Sequence, residues 1–287
     1  MRIAVVGARG QLGGAVVHAF ASGHDVIPLV REDLDIANDH AVASAMERLR
    51  PGAIINCAAY NDVDGAEDHP VDALNVNAFG IRALARGAAA IGAILVHYGS
   101  DFVFDGTATS PYTEDDHPNP RSVYAASKLL GEWFAADAPR WYVLRVESLF
   151  GNVPGGRPAK GSVAAIVEKL RRGEKTVVFA DRTVSPTDVL DAANATRHLI
   201  EHAAPIGLYH CVNSGIGTWQ DVALEIATQL GVEPRLVPVR MAEASLRAQR
   251  PQYCAMSNRK LLATGAEMPH WRDAIARYVR SVAPCAS

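Results

Sequence analysis

The N-terminal strand and the glycine turn that follows it constrain the fold more than any other part of the sequence. Residues 3–6 are Ile-Ala-Val-Val, a continuous apolar run that predicts a strand buried on both faces. Gly7, Gly10 and Gly13 come next, and a helical pattern follows over about 12–22. In such an opening the first glycine permits a sharp turn, the second lets backbone approach a pyrophosphate, and the third allows close helix–strand packing. The phosphates would lie at the helix N-terminus, so the sequence predicts a dinucleotide site.

Strand and helix patterns then alternate through the first 150 residues. Strands are predicted at 25–30, 52–60, 93–98 and 141–146, and helices at 39–49, 70–90 and around 123–133. This βαβ rhythm predicts an α/β fold with a Rossmann-type doubly wound parallel sheet and right-handed crossovers.

The texture of the sequence changes after Phe150. Residues 152–161 are rich in Gly and Pro and predict a mobile loop, and 181–188 predict a turn. Further helices are expected at 162–172, 189–202 and 219–230, with strands at 176–179, 207–212 and 236–239. We expect 207–212 to return to the main sheet. The predicted domains are therefore a dinucleotide-binding domain of 1–150 and 184–212 and a smaller, discontinuous substrate-binding lobe of 151–183 and 213–287.

Composition excludes several classes of function. The chain has 287 residues, 49% of them hydrophobic, and a net charge of −3, so no basic surface predicts a nucleic-acid partner. No apolar run is long enough to span a bilayer. The apolar run at residues 3–6 is too short for the apolar region of a signal peptide. The four cysteines and ten histidines show no metal spacing. We expect a cytoplasmic protein with reduced thiols, no membrane partner and no metal site.

Tyr124 and Lys128 are the candidate catalytic pair. Four residues apart on a helix, they would lie on the same face. A free phenol has a pKa of about 10, and a nearby ammonium would lower it toward the working range. Ser100 follows a predicted strand, at the carboxyl edge where open α/β sheets place ligands. Together these side chains suit proton delivery to a carbonyl oxygen that receives a hydride.

Arg31 bears on the choice of cofactor. It stands at the end of the second strand, where an NAD site would carry Asp or Glu for the ribose hydroxyls. A guanidinium there could pair with a 2′-phosphate, which favours NADPH and leaves NADH open. Because Glu32 and Asp33 follow, an ordinary solvated arginine is the alternative.

Taken together, the motifs resemble the extended short-chain dehydrogenase/reductase superfamily, and within it the dTDP-4-dehydrorhamnose reductase family. The matching stretches are residues 7–13, 33–36, 55–60, 100–106, 124–132, 184–187 and 250–251, in the family's order. The resemblance implies an NADPH-dependent reductase of a nucleotide-linked 4-keto-6-deoxy sugar.

It also implies the roles of individual residues. Tyr124 would be the proton donor, Lys128 would bind the nicotinamide ribose and tune Tyr124, Ser100 would orient the carbonyl, and Asn77 would support the lysine. The cofactor set is Gly7, Arg9, Gly10, Gln11, Leu12, Arg31, Asp35, Ile36, Cys57, Ala58, Ala59 and Tyr60, with Tyr124 and Lys128. Asp101, Val103 and Glu147 would border the sugar. Arg250 and Tyr253 could reach a diphosphate or sugar, although a structural salt bridge is an equal interpretation of Arg250.

The sequence departs from the family at specific positions. Ala15 stands where a metal-ligand glutamate is common, which argues against a magnesium-bridged dimer; a homodimer of another kind is left open. Arg145-Val-Glu-Ser148 replaces an Arg-Thr-Ser-Trp pattern that contacts the nucleotide sugar, and Cys254 replaces a frequent serine. Phe102 occupies the position of the glutamate that sugar 4,6-dehydratases need. Two alternatives stay open: a sugar-nucleotide 4-epimerase, and a non-catalytic NADP-binding subunit resembling the regulatory subunit of methionine adenosyltransferase.

Overall fold

A computed structural model describes residues 1–153 and 159–282 of the chain. Its strands are β1 Arg2–Val6, β2 Asp25–Leu29, β3 Ala53–Asn56, β4 Ile94–Ser100, β5 Trp141–Val146, β6 Leu149–Phe150, β7 Thr176–Phe179, β8 Thr183–Val184, β9 Thr187–Asp188, β10 Gly207–His210, β11 Gly217–Thr218 and β12 Leu236–Val239.

The helices alternate with these strands. They are α1 Gln11–Phe20, α2 Asp39–Leu49, α3 Gly65–Asp68, α4 Pro70–Leu74, α5 Gly80–Ile91, α6 Val123–Ala135, α7 Ser162–Arg171, α8 Val189–Glu201, α9 Trp219–Leu230, α10 Arg259–Leu262 and α11 Trp271–Ser281. A π-helical turn, Asn75–Phe79, joins α4 to α5, and 3-10 turns lie at Asp101–Val103 and Met241–Glu243.

Six parallel strands form the main sheet, in the order β10-β5-β4-β3-β1-β2. The doubly wound sheet is therefore confirmed, and β10 does return to it beside β5. Successive side chains of β1 point to opposite faces of the sheet, and both faces are buried. Ile3 and Val5 pack into one hydrophobic cluster, and Ala4 and Val6 into the other. The chain reverses its direction across the sheet between β1 and β3, which is where such sheets place ligands.

A second hydrophobic core lies among the later elements. It joins α7, α9 and α11 around Val163, Trp219 and Trp271, and β7 pairs in parallel with β12 against it. Phe150 also packs into this cluster. The core gives the predicted smaller lobe its own apolar interior, while the domain boundaries themselves stay a prediction.

Several predicted elements differ from the observed ones. The single helix expected at 70–90 is α4, the π-turn and α5, because one extra residue is accommodated in the turn. β4 continues to Ser100, so that residue ends the strand instead of following it. The turn expected at 181–188 contains the short strands β8 and β9. The mobile loop expected at 152–161 falls in part on residues 154–158, which lie outside the described residues.

Among the described residues, no helix combines the length and the apolar character that crossing a bilayer requires.

Candidate active site

The glycine turn after β1 is built for close backbone approach. Gly7 has φ +79°, and a Cβ there would lie 2.7 Å from the backbone nitrogen of Ala58. A Cβ at Gly13 would overlap the carbonyl oxygen of Gly7. Gly10 is the N-cap of α1 and offers no side chain to cap its first N–H groups. Those donors are therefore available to an anion at a positive helix end, and the residues present fit a dinucleotide pyrophosphate.

A cavity of about 350 Å³ opens beside this turn. Of the residues expected to hold the cofactor, it is lined by Gly7, Arg9, Gly10, Arg31, Asp35, Ile36, Cys57, Ala58, Ala59 and Tyr60. The Arg31 side chain is 84% exposed, and its Nη2 lies 3.9 Å from Asp35. Arg9 donates to Glu32 at 2.8 Å. Two arginines at the rim of the cavity give it cationic groups suited to an adenosine phosphate.

A second cavity, of about 550 Å³, adjoins the first along a shared wall. Both are lined by Gly10, Cys57, Ala58 and Ala59. The second adds the remaining expected cofactor residues, Gln11 and Leu12, together with Ser100, Asp101, Tyr124 and Lys128. The structure thus brings the Ser-Tyr-Lys set to one end of a groove whose other end is the glycine turn.

Helix α6 presents Tyr124 to this cavity. Ser122 caps the helix by accepting from the N–H of Ala125 at 3.2 Å, which fixes where the helix starts. Tyr124 is 8% exposed, and the ring of Phe102 meets its ring edge-on at 5.4 Å. Burial and the neighbouring Asp101 raise the pKa of Tyr124 to about 12, against a smaller lowering by a hydrogen bond to Ser100. The expected lowering by Lys128 is wrong for this structure, since burial dominates.

Lys128 points from the same helix to the end of β4. Its Nζ donates to the carbonyl oxygen of Tyr98 at 2.6 Å, and the side chain is buried. Burial lowers the pKa of Lys128 to about 8, partly offset by Glu132 one turn further along α6. The ammonium therefore stands in the cavity wall, held by strand backbone and not by the phenol.

Asn77 lies in the π-turn and joins three parts of the site. Its Oδ1 accepts from the N–H of Tyr60 at 2.8 Å, and its Nδ2 donates to the carbonyl of Tyr60 and to Ser127 Oγ, both at 3.0 Å. Among its hydrogen bonds within the described residues, none goes to Lys128. Asn77 thus ties the cofactor-side loop to α6, and its expected support of Lys128 stays a prediction.

A buried polar cluster adjoins Ser100 and was only partly foreseen. Asp101 and Glu147 are 3% and 1% exposed, and one ligand atom from each, with the thiol of Cys254, lies within 4.8 Å of the others. Arg182 donates to Cys254 Sγ at 3.6 Å. Because this guanidinium already brings a positive charge to the group, we assign no metal to it. Arg182 was missed because nothing in its sequence neighbourhood separates it from an ordinary turn arginine.

Four residues expected near the sugar are not among the described residues that line the two cavities: Glu147, Val103, Arg250 and Tyr253. Val103 is fully buried in a small apolar cluster with Tyr112. Tyr253 packs against Tyr112, with ring centroids 6.2 Å apart. Arg250 forms a two-pronged ion pair with Asp64, at 3.0 and 2.8 Å. That pair corresponds to the structural interpretation of Arg250, since its donors are directed at a carboxylate of the protein.

The chain matches a family model described as the RmlD substrate binding domain over residues 1–283. A dTDP-4-dehydrorhamnose reductase of Burkholderia thailandensis is 32% identical, covering 98% of this chain and 99% of the relative. The crystal structure of a dTDP-4-dehydrorhamnose reductase from Clostridium acetobutylicum superposes with a TM-score of 0.92 at 33% identity, over 98% of this chain and 99% of that one.

A Bacillus anthracis dTDP-4-dehydrorhamnose reductase, solved in complex with NADP, gives the same TM-score of 0.92 at 31% identity, again over 98% and 99% of the two chains. These likenesses extend over nearly the whole chain. The chain belongs to the dTDP-4-dehydrorhamnose reductase family.

Proposed function

We propose that this protein is an NADPH-dependent reductase that converts the 4-keto group of a nucleotide-linked 6-deoxy sugar to an alcohol. The observation that carries the proposal is the continuous groove in which Ser100, Tyr124 and Lys128 face one cavity and the glycine turn lines the next. Family membership over nearly the whole chain supports the same reaction.

The chemistry needs a hydride at the carbonyl carbon and a proton at its oxygen. A bound nicotinamide supplies the hydride. Tyr124 supplies the proton: with a pKa of about 12 it is fully protonated at neutral pH. Ser100 donates a hydrogen bond to the developing alkoxide, and the Lys128 ammonium, in the wall of the same cavity, would bind the nicotinamide ribose. Asn77 holds Tyr60 and α6 in register through its three hydrogen bonds.

NADPH is the proposed cofactor because Arg31 and Arg9 line the cavity that would hold the adenosine end. A charge-assisted bond to the 2′-phosphate contributes about 1.5–3 kcal/mol, or roughly 10–100-fold in affinity. We therefore expect Arg31→Ala to raise the KM for NADPH and to leave the KM for NADH unchanged, NADH serving as the internal control. A wild-type KM for NADH as low as that for NADPH would contradict the assignment.

The identity of the sugar is tested by consumption of NADPH against a panel of dTDP- and UDP-linked 4-keto sugars. We expect turnover of a dTDP-linked 4-keto-6-deoxy sugar. Binding of NADPH without oxidation by any member of the panel would instead indicate a regulatory subunit. Interconversion of two sugar alcohols with no net consumption of NADPH would indicate an epimerase.

The division into a dinucleotide-binding domain and a substrate lobe, at the boundaries given above, stays part of the proposal. So do a cytoplasmic location and a homodimer. Limited proteolysis would test the boundaries, cell fractionation the location, and light scattering of the purified protein the oligomeric state.

A further inference from the structure

Two carboxyl groups lie buried together, one of them lining the cavity of the proposed proton donor, and each has one oxygen without a hydrogen-bond partner among the described residues. Asp101 and Glu147 are 3% and 1% exposed, and their carboxyl oxygens approach within 4.8 Å. Oδ2 of Asp101 and Oε1 of Glu147 have no hydrogen-bond partner among the described residues. A buried ionised oxygen without a partner is costly, so this arrangement calls for an additional proton or charge.

The groups around the pair supply one positive charge, whereas two ionised carboxylates carry two negative charges. Arg182 is the one cation that acts on both groups in the described part of the chain. The other titratable groups that face the pair are the thiol of Cys254 and the phenols of Tyr124 and Tyr253, all neutral at pH 7 because their pKa values are raised by burial. With both carboxyls ionised the cluster carries a net charge of −1. With one proton retained it is neutral, and burial raises the pKa of both groups accordingly.

The pair is connected to Tyr124 by a short chain of polar atoms. Ser100 Oγ donates to Asp101 Oδ1 at 3.1 Å, and Ser100, Asp101 and Tyr124 line the same cavity. Asp101 lines the larger cavity, whereas Glu147 lies behind it and accepts from the N–H of Ser185 at 2.6 Å. The order from the substrate inward is therefore Tyr124, Ser100, Asp101 and Glu147.

We propose that Asp101 and Glu147 share one proton and return it to Tyr124 through the Ser100 hydroxyl after each reduction. The inference rests on the proposed role of Tyr124 as proton donor. When Tyr124 gives its proton to the ketone oxygen, it becomes a phenolate. Ser100 donates its hydroxyl proton to the phenolate and accepts one from Asp101, which leaves the pair with no shared proton. A proton from a hydronium ion or a buffer acid, delivered through the cavity that Asp101 lines, restores it, so that each reduction takes up one proton from the solvent.

Glu147 is a positioning residue in this scheme, because it acts through Asp101 and Ser100 and does not touch the substrate. Its part is to supply the second carboxyl of the pair, so that two buried acids face the single positive charge of Arg182 and one proton stays with them; burial raises the pKa of both. Without Glu147, Asp101 would pair with Arg182 as an ordinary ion pair and would have no proton to give.

Infrared spectra of the protein without cofactor or substrate, at pH 8, test the shared proton. Wild type should show the carbonyl stretch of a protonated carboxylic acid. Both Glu147→Gln and Asp101→Asn should lose it, since each leaves a single carboxylate beside Arg182. Gln keeps an acceptor for the N–H of Ser185, and Asp101→Asn gives a second variant if Glu147→Gln fails to fold.

Asp188→Asn is the matched control. Burial raises the pKa of Asp188 to about 6, so this carboxyl is already ionised at pH 8, and its variant should keep the band. No band in wild type would overturn the shared proton. A band that survives in either Asp101→Asn or Glu147→Gln would show that the proton belongs to one carboxyl alone.

Rescue by a small acid tests the return of the proton. We expect kcat of Glu147→Gln to fall by the order of 10²-fold that marks the lower end of general-acid effects, and to recover as imidazole buffer is added. Wild type and Asp188→Asn should not depend on imidazole. Full activity of Glu147→Gln without buffer dependence would overturn the relay. The infrared band does not depend on turnover. A wrong assignment of Tyr124 as proton donor would therefore leave the infrared result unchanged and can be told apart from a failure of the shared proton.

Discussion

At the scale of single residues, the proposed role of Tyr124 as proton donor depends on burial, which keeps its proton in place. With a pKa of about 12 the phenol is not a base at neutral pH, so Tyr124→Phe removes the proton and little else. We expect kcat for reduction to fall by about 10²–10⁴-fold, the usual range for loss of a general acid. Stopped-flow oxidation of NADPH measures the rate, and fluorescence titration with NADPH should give an unchanged Kd. Normal turnover by the variant would refute the role.

Lys128 gives the second prediction at this scale, through its effect on stability. Its pKa is about 8 in the folded chain against 10.5 for the free side chain, because burial disfavours the ammonium. Below pH 8 folding therefore carries a penalty on the order of 3 kcal/mol, and the penalty disappears as pH rises past the unfolded value. The free energy of unfolding of wild type, minus that of Lys128→Met, should rise between pH 8 and 10.5.

Urea unfolding of both proteins at several pH values measures this difference. Tyr124 titrates in the opposite sense above pH 10, but it is common to both proteins and cancels. A difference that stays flat across the window would mean that Lys128 is not desolvated. We expect Lys128→Met to lose activity and, below pH 8, to gain stability. This combination fits a residue that is retained for chemistry.

At the scale of elements, the contact between α6 and the π-turn sets the geometry of the site. A Cβ at Gly131 would overlap the carbonyl oxygen of Asn77, so only glycine lets the helix approach so closely. We expect Gly131→Ala to destabilise the protein by about 1–3 kcal/mol, as overpacking does, and to lower kcat by moving Tyr124 and Lys128 away from Tyr60.

Gly14 in α1 is the matched control for that substitution. Its Cβ would meet only ordinary contacts at 3.8 Å, so Gly14→Ala should stabilise the helix by about 0.5–1 kcal/mol and leave kcat unchanged. Thermal unfolding and NADPH oxidation measure both effects. Equal behaviour of the two variants would contradict a special role for the contact.

This contact also shows what the sequence could and could not predict. Periodicity located α2, α9 and the strands of the main sheet because each buries a regular apolar face. It could not locate the π-turn, since the extra residue is fixed by hydrogen bonds from Asn77 to residues far along the chain. For the same reason the spacing of Tyr124 and Lys128 predicted a shared helix face and missed the carbonyl of Tyr98 that holds the lysine.

At the scale of the whole molecule, an ion pair between Arg250 and Asp64 joins parts of the chain that are distant in sequence. Arg250, near the C-terminal end of the fold, reaches Asp64 before α3, and this hydrogen bond lowers the pKa of Asp64 to about 2. The Asp64 side chain is 43% exposed, so solvent screens the pair and limits its contribution to at most about 1 kcal/mol. The pair persists at neutral pH and is lost only as pH falls through the pKa of Asp64.

The last prediction separates this structural role from substrate binding. We expect Arg250→Ala to lower the free energy of unfolding by no more than about 1 kcal/mol and to leave the KM for the nucleotide sugar unchanged. Arg272→Ala is the matched control, because Arg272 pairs with Glu225 at 2.7 Å on a surface away from both cavities. If Arg250→Ala alone raises the KM about tenfold or more, a diphosphate competes with Asp64 for this guanidinium, and the resting ion pair is what the substrate must break.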